Sequence, residues 1–285
     1  MPCRSRTMRE VGVRLLRAGH CVHPQRATIR DGSARPVIFP ALSVLLVHPV
    51  EGPILFDTGY DPAFFAATRP FPERFYRWLT PATLPPGANA ASQLERLGIA
   101  PADVRHLVLS HFHADHIAGT HAFPNAAIHC ARAGLDAACS SGRIKALMGG
   151  VLPALLPADI AVRARFFEDA PRTTLPGALQ PFTDAADILG DGSLLAVELP
   201  GHCPGHWGMV VADDRHGEHF LVADAAWSSD AIRRNMPPPR LTSGLLGNAN
   251  RVEETLARLH ALWRHNPAIR LTPAHCTERA AEAEA

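Results

Sequence analysis

The segment "SHFHADHIAG", residues 110–119, places three histidines and an aspartate within six positions. Clustered imidazoles are costly, because protonated rings repel and buried neutral rings need partners. A divalent cation is one partner that satisfies them all. His111 and His113 are two apart, and in an extended segment side chains at i and i+2 point the same way. Both rings can therefore reach one ion. Asp115 and His116 fall at the next turn, where a helix begins, and can serve a second ion beside the first. Such nitrogen and oxygen donors suit zinc in tetrahedral geometry, and iron, manganese or cobalt as well.

Four side chains do not close such a site, and the rest of the chain supplies more. Asp57 ends the apolar run "ILFDTG", His202 follows one in "LPGHCPGH", Asp224 ends one in "FLVADAAW", and His275 ends one in "IRLTPAHC". Polar residues at the ends of apolar strands converge on one rim of a sheet, where α/β folds place their sites. Alone, each would be read as a cap or a satisfied polar residue; beside the cluster they read as site residues. Cys203 and Cys276, next to His202 and His275, read as small packing residues. His206 reads either as a support for the site or as an ordinary helix-side histidine.

The elements that must position these residues follow from the apolar pattern. "VGVRLLRAG", "ALSVLLVHP", "GPILF", "VRHLVLS", "LLAVELP", "HWGMVVAD", "HFLVAD" and "AIRLTP" read as strands closed by Gly, Pro or Asp. "ANAASQLERLGI" and "RVEETLARLHALWRHN" have helical spacing, the latter with Val252, Leu256, Leu259 and Trp263 on one stripe. "ARAGLDAACSS" and "GRIKALMGGVLPALL" read as short helices, residues 162–180 as irregular, and "TERAAEAEA" as a frayed tail. Strands alternating with helices predict an α/β fold, and without a Gly/Ser linker the expectation is one domain over residues 1–285. Two stretches are rich in large apolar side chains, residues 61–80 and 140–180. They are expected either to form lids over a substrate or to pack on the core.

Composition excludes several classes. With 28 basic and 27 acidic residues in 285 and no basic run, a nucleic-acid backbone is not an expected partner. No apolar stretch is long enough to cross a membrane and no signal peptide is read, so the cytoplasm is the expected address. The six scattered cysteines, from Cys3 to Cys276, are then free thiols. A homodimer is left open.

Asp57, the H-x-H-x-D-H run from His111 to His116, then His202, Asp224 and His275, stand in the order of the five motifs of the metallo-β-lactamase superfamily, which this chain resembles over residues 37–277 or so. The resemblance implies a four-layer αβ/βα sandwich and two metal ions. His111, His113 and His202 would hold the first ion, and Asp115, His116 and His275 the second. Asp224 would bridge them, and Asp57 would accept a hydrogen bond from a ligand histidine. Within the superfamily, "ILFDTG", "HFHADHIAG" and "PGHCPGHWGMVV" look most like N-acyl-homoserine lactone lactonases. That implies hydrolysis of a lactone with an apolar acyl or aryl arm, and Asp115 passing a proton to the leaving group. Three features differ from that group: Trp227 stands where those lactonases carry a tyrosine, Cys276 follows His275 where they have an aspartate, and His116 and His202 are farther apart. Trp227 is the expected carbonyl contact, and Phe64, Phe75, Trp78 and Met148 the expected walls for the arm. The alternatives are a thioesterase of the glyoxalase II kind, a phosphotriesterase, or an oxidoreductase resembling the one-iron persulfide dioxygenases.

Overall fold

Nearly every apolar run of the sequence becomes a strand buried on both faces. A computed structural model describes residues 8–283; Cys3 lies outside them. The strands are β1 (Glu10–Pro24), β2 (Pro36–His48), β3 (Gly52–Phe56), β4 (Ala82–Thr83), β5 (His106–Val108), β6 (Ala127–Cys130), β7 (Ala164–Phe166), β8 (Arg172–Thr174), β9 (Asp184–Asp187), β10 (Leu195–Glu198), β11 (Trp207–Asp213), β12 (Gly217–Ala223) and β13 (Arg270–Pro273). The helices are α1 (Pro62–Ala67), α2 (Arg74–Leu79), α3 (Ala90–Arg96), α4 (Ala114–Ile117), α5 (Arg132–Ser140), α6 (Arg143–Met148), α7 (Ile160–Arg163), α8 (Ser229–Arg234), α9 (Arg240–Leu246), α10 (Ala249–His265) and α11 (Thr277–Glu282).

The strands run β7-β6-β5-β3-β2-β1 in one sheet and β8-β9-β10-β11-β12-β13 in the other. The two are joined where Glu10 and Val11 pair in parallel with Ala212 and Asp213. Successive side chains on a strand point to opposite faces, and here the alternation divides three cores. Val44, Leu46, Ile54, Phe56, Met209, Val211 and Leu221 meet between the sheets. Leu45, Leu55 and Leu107 face outward to Phe64 of α1 and Leu94 of α3. Val197, Val210 and Phe220 face the other way, onto Ile232 of α8 and Leu256 and Leu259 of α10. Helix, sheet, sheet, helix is the expected four-layer αβ/βα sandwich. Each layer covers the apolar face of the next.

Helix boundaries follow local chemistry. Asp61 caps α1 by accepting from the Ala63 N–H at 3.0 Å, and Asn248 caps α10 by accepting from Arg251 N–H at 3.2 Å. After α3, Gly98 takes φ +77°, the left-handed turn that ends a helix and that side chains resist. The stripe on α10 buries Leu262 rather than Trp263, which is only partly covered. Two expectations are corrected. The stretch 162–180 is not irregular throughout, because β7 and β8 complete the outer edges of the two sheets. The C-terminal tail is helical over Thr277–Glu282, with Ala280 buried and Arg279 Nε donating to Leu271 O.

Candidate metal centre

Register brings the polar strand ends together. β3 and β5 are parallel neighbours, with Phe56 opposite Val108. β12 and β13 are parallel neighbours, with Ala223 opposite Pro273. Asp57 and the His111 loop thus leave one sheet side by side, as Asp224 and His275 leave the other. The Trp207 N–H donates to Ser110 O at 2.9 Å and ties the two edges together. The backbone is strained where the carboxylates emerge: Asp57 has φ 55° and Ala223, just before Asp224, has φ 46°. Non-glycine residues there cost of order 1 kcal/mol or more and persist only when the surroundings hold them.

Hydrogen bonds fix the orientation of three rings. His116 Nδ1–H donates to Asp57 Oδ2 at 2.8 Å. His111 Nδ1–H donates to Ser110 Oγ at 2.9 Å, and that hydroxyl donates to Asp57 Oδ2 at 2.7 Å. His275 Nδ1–H donates to Pro40 O at 2.8 Å. With Nδ1 the donor in each, Nε2 carries the free lone pair. His116 Nε2 lies 3.3 Å from Asp224 Oδ1, and His275 Nε2 lies 3.2 Å from Asp224 Oδ2. His202 Nε2 is 3.3 Å from Asp224 Oδ2 and 2.9 Å from His113 Nδ1. Asp115 Oδ2 is 3.5 Å from His275 Nε2.

Two of these contacts, His275 Nε2 to Asp224 Oδ2 and His202 Nε2 to His113 Nδ1, have hydrogen-bond geometry, but they do not satisfy the whole cluster. Among the described residues, His111 Nε2, His113 Nε2, His116 Nε2 and Asp224 Oδ1 are buried with no hydrogen-bond partner. Buried polar groups are normally satisfied, so several orphans in one cluster need an explanation. Two donor sets fit cations: His111, His113 and His202 with Cys203, and Asp115, His116 and His275, while Asp224 groups with His111 and His116. The residues present therefore fit two divalent ions, by donor type and by their unsatisfied atoms. The Cys203 thiol falls among the histidine nitrogens, where sequence reasoning had placed a packing residue.

Electrostatics agree. Burial, with the charge of neighbouring histidines, drops His111 well below its ordinary value, and burial does the same to His202. Both rings stay neutral, as ligands must be. Burial disfavours the His116 cation too, but Asp224, Asp57 and Asp115 outweigh it and raise His116 well above the usual range. Asp224 is driven well below the usual carboxylate range: burial opposes this, and the His275 and His116 charges prevail. The carboxylates thus set up a field that a cation answers. Behind them, His206 Nε2 accepts the Asp224 N–H at 3.1 Å while His206 Nδ1–H donates to Leu199 O, so His206 supports the Asp224 backbone.

A cavity of about 510 Å³ opens above the metal residues. His113, Asp115 and Asp224 form its polar end; Phe75, Leu79, Leu147, Met148, Trp227, Leu245 and Leu246 supply large apolar side chains to its walls. A larger cavity of about 790 Å³ beside α1 and α5 holds none of the metal residues. Trp227 is braced on His275, ring centroids 4.5 Å apart, and edge-on to Phe39. Gly150, φ +75°, closes the loop after α6 against the His113 ring, where a Cβ would come within 2.9 Å of the imidazole. Two expected wall residues, Phe64 and Trp78, are corrected: Phe64 is 0% exposed, packed between Tyr60, Phe65 and Tyr76 in the core, because α1 lies against the sheet. Trp78, 59% exposed, packs on Phe71 and Phe75 and does not line the cavity itself. Tyr76 lies within the expected 61–80 segment; Cys21, His23 and α9 were not expected to line the cavity, and they approach from parts of the chain far from the motifs.

A sequence model of the metallo-β-lactamase superfamily matches residues 37–235, and the chain belongs to that superfamily. It is 32% identical over 249 residues to a Mycobacterium tuberculosis protein named "Probable metallo-hydrolase Rv2300c", spanning 81% of this chain and 73% of that one. It is 32% identical over 155 residues to the N-acyl homoserine lactonase AttM of Azorhizobium caulinodans, spanning 54% of each. The fold matches a solved N-acyl homoserine lactone hydrolase with the product N-hexanoyl-L-homoserine bound at its catalytic metal centre, with TM-score 0.72 and 18% identity over 96% of each chain.

Proposed function

We propose that the protein is a two-metal hydrolase of ester bonds whose substrate is a lactone with an apolar acyl or aryl arm. One observation carries the reading: buried, unpartnered imidazole nitrogens gathered on Asp224 at the polar end of an otherwise apolar cavity. The N-acyl homoserine lactonase relatives support the same substrate class. His111, His113 and His202 would hold one ion, Asp115, His116 and His275 the other, and Asp224 both; zinc suits the donors. Bound there, the ions would supply a hydroxide nucleophile near neutral pH and polarise a carbonyl oxygen.

The chain's own residues do the rest. Asp57 and Ser110 hold the rings of His116 and His111 so that Nε2 faces inward, the support that ligand histidines require. Asp115 lines the cavity and is assigned the proton passed to the leaving oxygen. Trp227 is assigned the carbonyl contact through its indole N–H, its ring already immobilised on His275. Phe75 and Met148 wall the arm and exclude water. The segments 61–80 and 140–180 are assigned as lids only where α2 and α6 border the cavity; the Arg143 guanidinium forks onto Glu73 at 2.5 and 2.7 Å and joins them. Both sheets contribute site residues, which supports a single domain. Among the described residues no helix is long and apolar enough to cross a membrane. The described cysteines are free, in keeping with a cytoplasmic address.

The test is metal analysis with a hydrolysis screen across lactones, aryl esters, thioesters and phosphotriesters. Two metals per chain with preferred turnover of acylated lactones is the expected result. Turnover of a thioester or phosphotriester and no lactone would replace the substrate. One iron per chain with oxygen consumption on a persulfide would overturn the hydrolase.

A further inference from the structure

Among the polar side chains that line the cavity without a hydrogen bond to the fold, Tyr76 is the one whose ring is anchored in the core by aromatic neighbours. It sits on the inner side of α2, while its neighbours Phe75 and Trp78 are half-exposed. Its ring packs edge-on to Phe64 at 5.7 Å, and Phe64 is itself fixed against Tyr60 at 5.0 Å. The ring is therefore anchored in the core while the side chain lines the cavity that Asp115 and Asp224 close. No protein partner for its hydroxyl occurs among the described residues. A phenol held in place at low entropic cost, in an apolar wall and without a partner, recognises something that enters the cavity.

We propose that Tyr76 donates a hydrogen bond to a carbonyl oxygen on the arm of the substrate, so that the protein selects lactones whose arm is joined through an amide over those with a plain alkyl arm. This rests on the lactone reading above. The chemistry of the site favours a donor role. Burial and the carboxylates of Asp115 and then, beyond Cys21, Asp224 hold the phenol well above its ordinary value, so it remains protonated. An acceptor on the substrate is what such a group lacks. The reacting carbonyl belongs with the metal residues, where Trp227 is assigned its contact; a further donor on the wall that α2 forms is left for a second carbonyl farther along the arm. Thr28 also lines the cavity, but its hydroxyl is committed to Gln25 O at 3.0 Å. A site built to hydrogen-bond a substrate group discriminates strongly against the analogue lacking it.

The experiment compares kcat/KM for an N-acyl homoserine lactone and for a γ-alkyl lactone of equal chain length, in the metal-loaded wild-type protein and in Tyr76→Phe. The substitution keeps the ring against Phe64 and removes only the oxygen. The expected result is that the ratio of acylated to alkyl kcat/KM falls about 10- to 100-fold, through KM more than kcat, with metal content equal to wild type. A role limited to packing would move both substrates together and leave the ratio where it was, and that result overturns the proposal. So does a ratio that moves in His23→Phe, Thr80→Val or Thr242→Val and not in Tyr76→Phe, since those residues line the same cavity. Wild-type protein that hydrolyses alkyl lactones and ignores acylated ones overturns the assignment of Tyr76 while the lactonase reading stands. Wild-type protein that hydrolyses neither overturns the lactonase reading, and the assignment with it.

Discussion

Asp57 Oδ2 accepts the Nδ1–H of His116 at 2.8 Å, and the same oxygen accepts the hydroxyl of Ser110, which in turn accepts His111. One buried carboxylate therefore orients a histidine of each proposed ion site. Asp57→Asn keeps the shape and removes the negative charge that both donors face. Metal affinity is expected to fall about 10- to 100-fold, the usual cost of losing a partner behind a ligand. Metal titration of the stripped protein measures it, and affinity equal to wild type would show that Asp57 serves the strand turn alone.

Asp224 is placed to matter more. Its carboxylate oxygens lie within 3.3 Å of nitrogens of His116 on α4 and of His202 and His275 in two separate loops. Asp224→Ala removes the carboxylate that is proposed to bridge the two ions and leaves those rings facing one another. The expected outcome is loss of at least one ion per chain and a larger fall in activity than in Asp57→Ala. Equal losses, with both ions retained, would contradict the bridging role.

Chelation tests the same site through stability. The proposed ligands come from both sheets, so ions held by them would bind the folded chain only. At 100 times its dissociation constant, one ion stabilises by about 2.7 kcal/mol. Stripping the metals is expected to lower Tm by at least about 5 °C, with recovery on adding zinc back. A melting curve indifferent to chelator would mean that the fold does not couple to metal.

Acid lability has a separate source. His129 on β6 is buried against His106, Nε2 to Nδ1 at 3.0 Å, and burial, then the His106 and Arg165 charges, push its pKa down to about 3. The unfolded chain takes up this proton near pH 6.5. Between those limits the unfolded state binds more protons, so stability falls as pH drops from about 6.5 towards 3. His129→Gln removes that dependence. In metal-free protein, the variant's deficit at pH 7 is expected to shrink by up to about 2 kcal/mol at pH 5, read from urea unfolding at the two values. A deficit independent of pH would place the loss elsewhere.

The cluster of candidate ligands was legible because its members follow the ends of apolar runs, and in an α/β sheet such ends share an edge. His111 to His116, His202, Asp224 and His275 all lie where that rule puts them. The cavity was not legible to the same degree. Phe64 and Phe75 belong to one aromatic stretch, yet one is core and the other lines the cavity, because the turn between α1 and α2 breaks the helical period that would have separated them. Tyr76 was read as one more aromatic, since nothing local marks a hydroxyl as unpartnered. α9, whose Leu245 and Leu246 reach the cavity, carries no chemistry in its sequence and is brought there only by the packing of the second half.

Phe75 is the wall residue on which chain-length preference should depend. It is 50% exposed on α2 and lines the cavity; Met148 of α6 is 71% exposed and lines it too. An acyl or aryl arm lying between them would cover apolar surface on both helices. Each buried methylene adds up to about 0.8 kcal/mol, so kcat/KM should climb with arm length by up to about fourfold per methylene until the cavity is full. Phe75→Ala is expected to flatten that climb with both metals in place. Trp78→Ala acts only by loosening Phe75, against which its ring packs at 5.4 Å, so its effect should be smaller and in the same direction. The measurement is kcat/KM across a lactone series of increasing acyl length for wild type and the two variants. A wild-type series that turns over its shortest members well and is indifferent to length would return α2 to the surface and leave the arm without a wall.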